Sequence, residues 1–260
     1  HPRLVLTPHL GASTAEAQEK VAVRIAEQFN AYFADGAVRN AVNMIALEPA
    51  VAERLAPWQR LAETMGILQA ELLDGRFEEL EVEVAGEIGE LPLRAFTAAA
   101  LKGLLGRLLS QRVNLVNAEA VARDQGYAVR EVRGQETDGY AGLLRVRLRS
   151  DRGERLVEGA VFGKDHPKVV RIDDFYIETD AKGEILLCQN DDRPGRLAAL
   201  TAVVAEHEVN IADFALGRCR ETGMALNAIH LDDPLPAGAL AQVQAVDGVH
   251  WARVVRMPST

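Results

Sequence analysis

The stretch Glu184-Ile185-Leu186-Leu187-Cys188-Gln189-Asn190-Asp191-Asp192-Arg193-Pro194-Gly195-Arg196-Leu197 decides the fold of the last third of the chain. Its apolar run, Ile185 to Cys188, has the length of a strand and ends in a cluster of turn-forming residues. Pro194 lacks an amide donor and suits the first turn of a helix, where that donor would go unused, while Asp192 can cap the same helix. Beyond Gly195, the residues Leu197, Leu200, Val203 and Val204 fall on one helical face, which predicts a helix lying on a sheet over about 195–207. Working outward, strands are expected over 210–218, 224–231 and 249–256, with a second helix over about 237–243. The resulting order, β-α-β-β-α-β, folds as two helices covering one face of an antiparallel sheet.

The turn has chemical potential of its own. Amides at a helix start attract a carboxylate, and Gly195 lets a ligand approach the backbone closely. Asp192, with the carboxamide of Asn190 or Asn210, could hold an ammonium group. A free amino acid has both groups, so Asn190, Asp192, Pro194, Gly195, Asn210 and Ile211 form a candidate effector site around one small cavity. The plainer alternative is a strand-to-helix turn closed by a capping acid. Asn190 to Leu197, followed by Val209-Asn210-Ile211, resembles the signature of the ACT domain, a ferredoxin-like βαββαβ regulatory module that binds amino acids. The resemblance implies that two copies pair edge to edge with the effector at the seam.

Upstream of residue 184 the rhythm differs. Leu61, Met65, Leu68 and Leu72 recur at helical spacing beyond Pro57, and further helices are expected over about 94–109 and 118–125, the latter capped by Asn117 and stopped by Gly126. Leu80, Val82 and Val84 alternate with Glu79, Glu81 and Glu83, a strand with one wet face. From Tyr140 the pattern is of hairpins, with Leu144, Val146 and Leu148 opposite Arg145, Arg147 and Arg149. Residues 44–180 therefore read as an α+β domain with segregated helices and antiparallel strands. Lys164, Lys168 and Arg171 in its hairpins are candidate anion ligands for a phosphate-bearing molecule, the bland alternative being solvated strand faces.

At the other end, Arg3 to Pro8 reads as a short buried strand. Ser13 and Glu16 have capping-box spacing, and a helix should run to about residue 34 with Val21, Ile25, Phe29 and Phe33 on one face and Gly36 as its stop. Residues 39–49 read as a linker. Leu6-Thr7-Pro8-His9-Leu10-Gly11-Ala12-Ser13-Thr14 resembles the last catalytic segment of the D-isomer-specific 2-hydroxy-acid dehydrogenases. This segment, an α+β domain and an ACT domain, in that order, resemble the C-terminal portion of the long-form D-3-phosphoglycerate dehydrogenases, the middle part being their intervening domain. The resemblance implies that His9 is the catalytic acid/base and that Gly11 and Ala12 lie beside the nicotinamide of NAD. It also implies end-product feedback by L-serine on the first step of serine biosynthesis. No Gly-x-Gly-x-x-Gly occurs in the sequence, so the dinucleotide-binding domain is expected upstream and the isolated chain is expected to be inactive as a dehydrogenase.

The division expected is 1–43, a remnant of a catalytic domain, then 44–180 and 184–260. A net charge of −9 without a basic block removes the electrostatic drive for nonspecific nucleic-acid binding. Two cysteines, Cys188 and Cys219, with no His or Cys at ligand spacing, read as reduced buried thiols, and no metal is expected. No apolar run approaches the roughly 20 residues that span a bilayer, so a cytoplasmic chain without nucleic-acid or membrane partners is expected, and the resemblance implies a homo-oligomer. The rival readings are an oligomer-assembly module that senses nothing, and a free-standing amino-acid sensor.

Overall fold

A computed structural model describes residues 4–35, 49–236 and 238–258. They belong to two compact units, 1–47 and 48–260. In the first, residues 4–10 form no strand, and Leu4, Val5 and Leu6 are exposed. An extended segment needs a neighbouring strand for its backbone bonds, and the expected strand has none among the described residues of its unit. Helix α1 (Ala15–Asp35) follows. Its cap is Thr14, whose Oγ1 accepts the amide of Ala17 at 3.2 Å, and not Ser13, whose hydroxyl donates back to the carbonyl of Leu10. The apolar stripe forms as spaced, with the Phe29 and Phe33 rings 6.4 Å apart on the helix surface. Gly36 and most of the expected linker lie outside the described residues.

The second unit opens with α2 (Pro49–Leu72), which runs through Pro57. One lost backbone bond is outweighed by the face it buries, Leu55, Leu61, Met65, Leu68 and Leu72, at roughly 1.5–3 kcal/mol for each side chain. Strand β1 (Phe77–Gly86), α3 (Leu93–Leu108), α4 (Ala118–Asp124), β2 (Ala128–Arg133), β3 (Gly142–Ser150), β4 (Gly153–Phe162), β5 (His166–Ile172) and β6 (Phe175–Thr179) follow. They build a six-stranded sheet in the order β2-β1-β3-β4-β5-β6. The β1–β2 pair is parallel, so the sheet is mixed where an all-antiparallel one was expected. Strand β2 was not anticipated because its burial is slight at an open edge, leaving no clean alternation. Asn117 stands at the N-cap position of α4 as expected, but its side chain does not bond the helix amides, since its Oδ1 accepts the amide of Asn114.

Helices α2 and α3 cover one face of this sheet and touch backbone to backbone. A Cβ at Gly66 would stand 2.0 Å from the carbonyl oxygen of Ala100, and one at Gly103 would stand 2.1 Å from that of Glu63. Gln69, fully buried, pins α2 to the sheet by donating to the carbonyls of Val146 at 2.7 Å and Arg155 at 3.2 Å.

Strand β7 (Glu184–Asp191), α5 (Arg196–Glu206), β8 (Ile211–Cys219), β9 (Met224–Leu231), α6 (Ala239–Ala245) and β10 (Val249–Arg256) form a second, antiparallel sheet ordered β10-β7-β9-β8. Leu200 and Val204 of α5 and Val243 of α6 bury against Leu186, Cys188, Ile229 and Ala252 of the strands. The second sheet meets both α2 and the first sheet. Arg253 donates to the carbonyls of Glu71 and Leu73, each at 3.1 Å, and Gly217 lies so close to β6 that a Cβ would meet the Tyr176 carbonyl at 2.8 Å.

Candidate functional site

The β7–α5 turn is built as its composition demands. Gly195 takes φ +88, a left-handed conformation that a side chain would strain, and nothing stands within 4 Å of where its Cβ would be. The space beside Gly195 is therefore open. The polar side chains around it are already engaged. Asn190 is 3% exposed, donates to the carbonyl of Asp191 at 2.6 Å and accepts from the amide of Asn227. Asp192 Oδ2 accepts from Arg218 Nε at 2.7 Å. Asp191 binds His250 Nε2 at 2.9 Å, and that hydrogen bond holds its carboxyl below the usual aspartate range. Arg196 joins Asp191 at 3.8 Å and Asp247 at 2.8 Å.

Asn210 and Ile211 are elsewhere. Asp191 pairs with Met224 at one end of β9, whereas Ile211 pairs with Leu231 at the other. Seven residue steps at about 3.3 Å separate those ends by roughly 23 Å. Asn210 there donates to Asp232 Oδ2 at 2.6 Å. The physical reason is directional: α5 carries the chain back along the sheet, so a helix start and a helix end cannot enclose one cavity in one chain. Asn190, Asp192, Pro194 and Gly195 are thus brought together, and Asn210 with Ile211 forms a second locus.

In the other unit His9 is exposed beside a turn, with Gly11 near enough that its Cβ would lie 3.5 Å from the ring Nε2, and Ala12 follows in the same turn. Among the described residues His9 makes no hydrogen bond or ion pair.

The candidate anion ligands of the first sheet are mostly neutralised. Lys168 Nζ lies 3.0 Å from Glu178 Oε1, and that bond holds its pKa above the ordinary lysine value. Arg171 donates to the carbonyl of Asp173 at 2.6 Å and stacks 4.9 Å over the Tyr176 ring, while Lys164 is exposed at the β4–β5 turn. Lys168 does line a cleft of about 340 Å³ with Arg60, Thr64, His166, Asp180 and Lys182. A larger open cleft of about 620 Å³, with Arg94, Glu119, Arg123 and Tyr127 at its rim, was not anticipated, its residues being scattered over α3, α4 and the start of β2.

The face expected to be wet is an ionic lattice. Glu79, Glu81 and Glu83 lie opposite Arg149, Arg147 and Arg145 across β1–β3. Arg149 reaches Glu79 at 2.6 Å, Arg147 reaches Glu154 at 2.6 Å, and Arg145 reaches Glu158 at 2.7 Å and Glu83 at 2.9 Å. Burial pulls the Arg145 pKa down, but the bond to Glu158 and the charges of Glu158 and Glu83 outweigh it, holding it above the ordinary value. Cys188 and Cys219 are buried free thiols, and no cluster of three or more His, Cys, Asp or Glu fit for a metal occurs among the described residues. No helix among them is long and apolar enough to cross a membrane.

Residues 54–173 match the family model described as the D-3-phosphoglycerate dehydrogenase intervening domain. Those residues are such an intervening domain. Over nearly its whole length it is similar to the D-3-phosphoglycerate dehydrogenase of Synechocystis sp. (36% identical over 255 residues, 98% of this chain and 46% of the relative). That of Archaeoglobus fulgidus is 31% identical over 256 residues, 98% of this chain and 48% of the relative. That of Bacillus subtilis is 26% identical over 258 residues, 99% of this chain and 49% of the relative. The chain spans about half the length of the curated relatives it matches.

Proposed function

We propose that this chain is the regulatory C-terminal portion of an NAD-dependent D-3-phosphoglycerate dehydrogenase, with residues 184–260 forming a ferredoxin-like ACT domain that takes L-serine or a related amino acid where two copies meet. The observation that carries this reading is the βαββαβ unit ordered β10-β7-β9-β8, joined to a D-3-phosphoglycerate dehydrogenase intervening domain. The open helix start at Gly195 offers amides to a carboxylate. Asn210, at the far end of its own sheet, reaches such a ligand only from an antiparallel second copy, as in a two-fold symmetric pair. L-Serine should therefore give binding heat with the intact protein at millimolar ligand, and Asn210→Ala should weaken it at least tenfold. Absence of heat, or unchanged affinity in the variant, overturns the site.

His9, Gly11 and Ala12 are the positions that match the dehydrogenase segment, and with no glycine-rich loop in this sequence they do not make a dinucleotide cradle. NAD would supply hydride acceptance in the full-length enzyme, with His9 placed to move the hydroxyl proton.

One observation favours a second reading, in which the terminal domain assembles the oligomer and senses nothing: Asn190 and Asp192 are satisfied within the chain, by Asn227 and Arg218. Oligomer size measured with and without residues 184–260, beside inhibition of the intact enzyme by serine, separates the two readings.

A further inference from the structure

The six-stranded sheet ends in an uncovered strand. Among the described residues β2 pairs with β1 alone, in an unbroken register from Ala128 to Arg133 with neither bulge nor proline, and its outer side is the edge of the sheet. Ala128, Arg130, Glu131 and Arg133 are exposed, and the open cleft of about 620 Å³ reaches the strand at Ala128, Val129 and Glu131. Gly134 donates its amide to the Val84 carbonyl of β1. By alternation Arg130 and Val132 also turn their backbone groups toward β1, so Val129, Glu131 and Arg133 offer theirs to the outside. Such an edge is a template for another strand. Arg130 is engaged by Glu79 at 3.5 Å and Glu81 at 3.6 Å, whereas Glu131 and Arg133 form no ion pair among the described residues.

We propose that β2 is a self-complementary docking edge, on which β2 of a second copy pairs antiparallel about a two-fold axis through Val132. A two-fold perpendicular to the sheet sets each residue opposite one on the same face, so the axis passes through a residue and not between two. Through Arg130, Glu131 or Arg133 it would set like charge on like, and through Val129 it brings no opposite charges together. Through Val132 it sets valine on valine and Glu131 opposite Arg133 twice. In that register the outward amides and carbonyls of Glu131 and Arg133 exchange hydrogen bonds, and Val132 takes the close, non-hydrogen-bonded position. Arg130 of the second copy arrives at Gly134, which has no side chain to obstruct it and where Glu83 Oε1 fills the place a Cβ would take. The seam joins two six-stranded sheets into one and is separate from the seam proposed for residues 184–260. Two such seams on one chain carry assembly past a dimer.

Val132→Cys in the intact protein at micromolar concentration, oxidised and run on a non-reducing gel, tests this; the native thiols are buried. At the axis the two Cα atoms stand about 4.5 Å apart, within disulfide reach, so most chains should link in pairs. Arg130→Cys is the control. Its two copies would stand roughly four residues apart along the strands, about 13 Å, so it should link at least tenfold less. Added to Val132→Cys, Glu131→Arg sets like charges face to face and should cut the yield severalfold, and Arg133→Glu beside it swaps the pair and should restore the yield. In sedimentation without the cysteine, Glu131→Arg alone should lose the largest species and the double charge variant should recover it. No linked pairs in Val132→Cys, equal linking in Arg130→Cys, or a double charge variant no better than the single overturns the seam.

Discussion

Replacing Arg145 by methionine strands a carboxylate inside the protein. Glu158 is 2% exposed and is held by Arg145 Nε at 2.7 Å, its next cation, Arg171, being 3.8 Å away. Removing one member of such a pair costs about 3–5 kcal/mol, because the remaining charge has neither water nor an adequate partner. The loss extends further, since Arg145 also binds Glu83, Asp138 and the carbonyl of Glu136, tying the loop after β2 to the sheet. For a cooperative unit of roughly 200 residues each kcal/mol shifts the melting midpoint by about 2–4 °C, so a fall of roughly 6–20 °C is expected in a thermal scan. The double variant Arg145→Met/Glu158→Gln removes the stranded charge and should regain more than half of the loss. Chemical denaturation of the single and double variants gives the coupling directly. A loss under about 1 kcal/mol for Arg145→Met, or a double variant as unstable as the sum of the singles, would refute the claim that Glu158 depends on this partner.

Gly66→Ala and Gly103→Ala should each cost over about 2 kcal/mol, because overpacking against carbonyl oxygens 2.0 and 2.1 Å away can only be relieved by parting α2 from α3. Gly89→Ala, with nothing within 4 Å of its Cβ, serves as the neutral control in the same melting experiment. The Cys188 thiol, pushed up to about 12 by burial, should resist thiol reagents at pH ~8 and react only as fast as the protein opens. The Asp191 carboxyl, held low by its hydrogen bond from His250, stabilises the fold above the ordinary aspartate range and ceases to as pH falls through its depressed value. His250→Ala should therefore flatten the acid limb of the stability profile below pH ~4, measured by denaturant titration at several pH values.

The last third of the chain was the most legible because every local signal there agrees. The Pro194-Gly195 turn, the Leu200–Val204 face and the apolar strands place the six elements within a residue or two of where they lie. Strand β2 was hidden because an edge strand parallel to its neighbour needs no alternation, and Ser13 lost its capping role to Thr14, one residue on, for which the spacing argument has no resolution. The effector residues were legible as types and not as a cavity. Asn190 through Gly195 gather at one end of the sheet, but the path of α5 takes Asn210 to the other, a fact of direction that no local pattern encodes. Likewise the glutamates of β1 read as solvated, since their partners on β3 come from residues more than sixty positions away.

Because α2 and α3 are pressed together at Gly66 and Gly103, the pair acts mechanically as a single stiff beam. One tip of α2, at Pro49, receives the chain from the preceding unit, and just past the other, Arg253 grips the carbonyls of Glu71 and Leu73. From Gly66 to the Arg253 contact, α3 braces α2 and leaves little flexing to absorb a tilt. A tilt of the terminal sheet at Arg253 is thereby met by both helices together.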